Sequence, residues 1–144
     1  MFRKIVSTTA SWTPLPLRLA LAAIFIGHGA QKVFGSFGGP GFAKFTSFPA
    51  PFPFMRPAWL WMAAAALAEL IGGALLLFGF LTRVGAFLIA CTMLTAIIGV
   101  HWPAFFGASG IEYPLSLLAA CLALLISGGG MASVDRKLSS GRRR

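Results

Sequence analysis

Four apolar stretches fill most of this chain: Leu15–Phe34, Ala58–Phe80, Val84–Trp102 and Ile111–Ser127. A bilayer core needs about 20 helical residues and tolerates about 17–25, so all four qualify as spans, the last at the short end. Lipid offers no solvent for open backbone groups, which leaves helices or closed barrels. A barrel requires apolar–polar alternation, and Met62-Ala-Ala-Ala-Ala-Leu67 shows none. With 58% apolar and 10% charged residues and a mean hydropathy of +0.84, the composition is not that of a water-soluble domain. The expected fold class is all-α, an integral membrane four-helix bundle.

The net charge of +9 invites a nucleic-acid reading, but the placement of the cations excludes it. Arg3, Lys4, Arg18, Arg83, Arg136, Lys137 and the closing Arg142-Arg-Arg144 all share one side of a four-span arrangement, against Lys32, Lys44 and Arg56 on the other. The positive-inside rule then puts both termini of this multi-pass protein in the cytoplasm. The expected organisation is a polar arm over residues 1–14, a membrane domain over 15–130 and a basic tail over 131–144, with Arg142 to Arg144 meeting anionic lipid. Arg3 and Lys4 resemble the start of a signal peptide. Ser7 to Thr13 is polar, however, and Pro14 and Pro16 interrupt, so the first helix is expected to be retained. Arg18 is expected to snorkel toward headgroups.

The loop at 35–57 is rich in Gly, Pro and Phe. Its Gly41–Phe48 segment allows a turn or two of helix before Pro49, Pro51 and Pro53 break it. Ala64, Ala68 and Gly72 recur at steps of four, spacing that lets a second helix approach closely. Cys91 and Cys121 sit inside spans, outside any Cys-x-x-Cys arrangement, and read as small packing residues or as a redox pair between neighbouring helices.

Depth organises the ionisable groups. His28, Gln31 and Lys32 share a helix face in the outer third of the first span. His101 and Glu112 lie at outer span ends. Glu69 is deeper, about eleven residues or roughly 16 Å into its span at 1.5 Å per residue. A lone carboxylate at that depth costs at least about 2.5–3.5 kcal/mol, so Glu69 must stay protonated or meet a cation, and His28 or Lys32 is the natural partner. A Glu–His pair beside an apolar cavity suits proton exchange with a quinol head group; the same pair would serve equally to pin two helices together. No spacing puts two metal ligands on one helix, so no metal is expected.

Two segments carry a family resemblance. Arg18-Leu-Ala-Leu-Ala-Ala-Ile-Phe-Ile-Gly-His-Gly-Ala-Gln-Lys-Val-Phe-Gly35 resembles the opening motif of the DoxX family, and Ala66-Leu-Ala-Glu-Leu-Ile-Gly-Gly-Ala-Leu-Leu-Leu-Phe-Gly-Phe-Leu-Thr-Arg83 resembles its second. The resemblance implies a four-helix protein of the bacterial or archaeal cytoplasmic membrane associated with quinone-coupled oxidation. It carries His28, Gln31, Lys32 and Glu69 over as the polar core. The expectation is a small quinone-interacting subunit serving a partner oxidoreductase, with Glu69 and His28 handling protons and Gln31, Lys32, His101 and Glu112 contacting the ligand. Alternatives are a scaffold that assembles redox proteins, or a small-solute transporter, which would require a homo-oligomer.

Overall fold

Pro14 sits in a first helical turn, where a missing N–H is harmless, and the helix it opens runs Pro14–Phe34. Gly79 stops the next long helix, Ala58–Phe78, in the left-handed region (φ 61°), where its N–H returns to the carbonyls of Leu75 and Leu76. The stop falls before the apolar run ends at Phe80. In the computed structural model residues 2–140 are described, and they form helices and irregular chain with no strand among them. The order is α1 (Phe2–Ile5), α2 (Pro14–Phe34), a 3-10 turn at Ser36–Gly38, α3 (Gly41–Thr46), α4 (Ala58–Phe78), α5 (Thr82–Ala96), a π turn at Ile97–His101, α6 (Glu112–Ser127) and α7 (Val134–Ser140).

Two helices, Ala58–Phe78 and Thr82–His101, are long and apolar enough to cross a membrane by length and composition, and α6 is apolar but shorter. Helix α2 has the length, but Arg18, His28, Gln31 and Lys32 lower its hydropathy. Successive long helices pack on one another, α2 on α4, α4 on α5 and α5 on α6, and α6 returns to α2. Their common core joins Leu21 and Phe25 of α2, Leu76 of α4, Ile89 and Met93 of α5, and Leu117, Cys121 and Leu124 of α6. The outward faces are apolar as well, with Leu60, Ile71, Phe78, Phe87, Leu94 and Leu122 all exposed. Against lipid such faces gain nothing by association, so close packing has to hold the helices together.

The end of the molecule that carries Arg18 is held by hydrogen bonds to backbone. Arg18 does not snorkel: it is 2% exposed, and its guanidinium donates to the carbonyls of Leu76 (2.8 Å), Leu77 (3.2 Å), Gly129 (2.7 Å) and Ala132 (2.8 Å). Two of those carbonyls end α4, where a helix leaves acceptors open and the macrodipole favours a cation. Arg83 does the same for α6, donating to Leu125 (2.5 Å) and Ile126 (2.9 Å). Asp135 takes the backbone N–H groups of Leu81 and Thr82, each at 2.8 Å, and so caps the start of α5. The segment before α7 is therefore packed into this end, and it is laced to the N-terminal arm by Met131 N–H to Ser11 O (2.9 Å). Arg142 to Arg144 lie outside the described residues.

Candidate functional site

At the opposite end of α2, glycines bring α2 and α4 together. A Cβ on Gly29 would stand 2.6 Å from the Leu70 Cα, and one on Gly73 would stand 2.8 Å from the Ile26 backbone nitrogen. Glu69 directly precedes Leu70 on α4, and Lys32 lies one turn beyond Gly29 on α2. The Lys32 ammonium and the Glu69 carboxylate form an ion pair, with side-chain exposures of 21% and 7%. The cation also faces the Phe45 ring of α3, 5.5 Å from its centroid, a distance at which the ring quadrupole attracts it. Helix α3 is the short helix expected within the loop, and Phe45 is what it delivers to the site.

Helices α4 and α5 are closest at Gly72 and Gly85, where a Cβ on either would stand about 3 Å from the other's carbonyl oxygen. From there they diverge. Ala68, Ala65 and Ala64 then face Leu88, Cys91, Thr92 and Thr95 across a cavity of about 540 Å³. The small-residue ladder thus closes the helix pair at Gly72 and opens it at the alanines. The cavity also reaches Lys32, Glu69, Phe45, Pro51, Met55, Trp61, Met62, Ala96 and Val100. Its volume falls in the range of about 300–1,000 Å³ usual for small-molecule sites, and it combines apolar walls with a few polar groups at one end.

Hydrogen-bonding capacity remains at that end. An ammonium carries three donors, and a carboxylate accepts through both oxygens. Lys32 meets Glu69 Oε2, while Oε1 receives no hydrogen bond from the described residues. Thr92 and Thr95 spend their hydroxyl protons on Ile89 O (2.8 Å) and Cys91 O (2.9 Å), leaving their oxygens as acceptors on the cavity wall.

The other sequence-selected residues lie elsewhere. His28 is exposed on the outer side of α2 and is not part of the cavity wall. Gln31 is half-buried, and its backbone packs on Gly39. His101 donates through Nδ1 to Ser109 O (3.0 Å), and Glu112 accepts from Gly107 N–H (3.2 Å); both bonds fold the loop between α5 and α6. Cys91 and Cys121 are both free, Cys91 exposed on the cavity wall and Cys121 in the core. Among the described residues no three His, Cys, Asp or Glu side chains form a metal-binding group.

Sequence reasoning missed Asp135 and the role of Arg18. Asp135 is one of only three acidic residues, and it lies beyond the last span on the side of the N-terminus of α5. That placement was the available signal. Thr92, Thr95 and Met55 carried no signal, because their place on the wall depends on how α4 and α5 splay.

Residues 13–102 match the DoxX family. A Bacillus subtilis (strain 168) protein described as "Putative oxidoreductase CatD" is 32% identical over 139 residues, covering 90% of this chain and 89% of the relative. "Uncharacterized membrane protein Rv3486" of Mycobacterium tuberculosis is 29% identical over 136 residues, covering 85% of this chain and 79% of the relative. No solved structure matches the chain. The match spans α2, α4 and α5 and contains both Lys32 and Glu69: the chain is a membrane protein and belongs to the DoxX family.

Proposed function

We propose that this protein is a quinone-binding membrane subunit, with the quinone head group at the Lys32–Glu69 end of the cavity. In this reading α2, α4, α5 and α6 all cross the cytoplasmic membrane of a bacterium or archaeon, and both termini face the cytoplasm. The observation that carries it is the ion pair with unspent hydrogen-bonding capacity at the end of an otherwise apolar 540 Å³ cavity. A quinone supplies two-electron, two-proton redox chemistry. Lys32 would donate a hydrogen bond to a carbonyl oxygen, and Glu69 would hold or release a proton at its free Oε1. Thr92 and Thr95 would accept from a hydroxyl, and the apolar walls would exclude water. His28 takes no proton step here, because it points away from the cavity, and Gln31, His101 and Glu112 act through the backbone they organise. Electrons would come from a partner oxidoreductase, in keeping with the description of the Bacillus relative.

The scaffold reading retains one observation of its own: Phe37, Phe54 and Phe106 lie exposed in the loops at the Lys32 end, a surface suited to another membrane protein. The two readings separate on binding. Trp61 lines the cavity, so titration with decyl-benzoquinone in detergent should quench a saturable part of the tryptophan fluorescence. That part should vanish in Trp61→Phe and in Glu69→Gln. Linear, unsaturable quenching in all three proteins would count against a quinone site.

A further inference from the structure

The loop between α3 and α4 covers one side of the cavity and leaves another bare. Pro51 and Met55 of that loop lie on the cavity wall beside Phe45. The loop rests on the π turn that ends α5, at Gly99: a Cβ there would stand 2.6 Å from the Pro51 Cβ and 3.0 Å from the Phe52 ring. Only a residue without a side chain lets the strap lie this close, and π turns recur at functional sites. Residues 51–55 therefore bridge the gap between the diverging ends of α4 and α5. On the flank of the same gap none of the described residues covers the two helices. Trp61, Ala64, Cys91 and Val100 line the cavity and are exposed on the faces of the two helices. Cys91 lies in the middle of α5, at the depth of hydrocarbon in the four-span arrangement.

We infer that the cavity is loaded sideways from the bilayer, through the cleft between α4 and α5, while the 51–55 strap seated on Gly99 closes it to water at the splayed ends of the two helices. The ligand class follows from the shape. It is an amphiphile with a polar ring for Lys32 and Glu69 and a hydrocarbon tail that lies along Ala68, Ala65 and Ala64 and leaves past Cys91 into lipid. Water-soluble molecules of similar head-group chemistry are excluded by the route. This rests on reading the cavity as a ligand site and adds the tail and the entrance.

Cys91 reports on the entrance. In a Cys121→Ala background reconstituted into vesicles, Cys91 should react with a lipid-soluble maleimide and, at the same concentration, about tenfold or more slowly with a sulfonated, membrane-impermeant one. Gly99→Val should unseat the strap and bring the two rates together, and Phe52→Ala should do so without crowding the π turn. Equal rates with both reagents in the unaltered strap would overturn the side entrance. So would faster labelling by the sulfonated reagent than by the lipid-soluble one, because that order of access is the reverse of the one a side entrance gives. A separate arm adds, before labelling, a decyl-benzoquinone whose other three ring positions carry methyl or methoxy groups, so that the ring does not alkylate the thiol. Protection by it, and not by the tail-less ring at equal membrane concentration, is expected. Equal protection by both would remove the tail groove. If the permeability contrast holds and no quinone protects, the entrance stands and the quinone reading falls.

Discussion

Helix α2 carries a cation near each end, Arg18 buried and Lys32 partly exposed, and the two have opposite surroundings. Arg18 is spent: its donors reach four backbone carbonyls, it does not line the 540 Å³ cavity, and its partners come from α4 and the segment before α7. Lys32 meets one carboxylate oxygen and an aromatic face, beside empty volume and unused acceptors. Burial and charge alone do not separate a structural group from a functional one. Hydrogen-bonding capacity left over beside a space that can be filled does.

Substitutions should expose that difference. The largest effect is expected from Arg18→Ala, which leaves buried carbonyls without a donor at about 1–3 kcal/mol each, so the variant should lose about 3 kcal/mol or more. Arg18→Lys should not rescue it, because one ammonium lacks the planar fork that spans carbonyls from two segments. Thermal unfolding in detergent would show both. Next, Lys32→Met or Glu69→Gln alone should destabilise by up to about 3 kcal/mol, less than a fully buried pair because Lys32 keeps some exposure. The double variant should return close to wild-type stability while binding no quinone. A double variant as unstable as the singles would make the pair a structural staple like Arg18.

Gly73→Ala should cost about 1–3 kcal/mol by overpacking against Ile26, and by widening the α2–α4 crossing it should weaken ligand binding without touching a polar group. The smallest change is expected from Asp135→Asn, about 1 kcal/mol for a weakened cap, with ligand binding intact. Loss of quinone in that variant would blur the separation between the two ends.

Much of this contrast was legible in the sequence. The depth of Glu69 required a partner, with Lys32 one of two candidates, whereas the apolar run to Phe80 hid the stop at Gly79. Rotation about the helix axis was not legible. His28 and Lys32 differ by only about 40° around α2, yet the crossings at Gly29 and Gly73 turn Lys32 toward α4 and leave His28 outside. Arg18 was misread for a related reason. Its acceptors lie 58 to 114 residues away along the chain, at backbone carbonyls that no side-chain pattern marks. The cavity itself arises because α4 and α5 touch at Gly72 and Gly85 and splay beyond, and a repeat of small residues does not say which of them will be in contact.

The most direct test is chemical. Wild type, Glu69→Gln and Asp135→Asn would be purified in mild detergent from native membranes, extracted with organic solvent and assayed for quinone against the lipid background. The account predicts near-stoichiometric quinone in the wild type and in Asp135→Asn, and background levels in Glu69→Gln. Quinone at background in all three, or undiminished in Glu69→Gln, would contradict it.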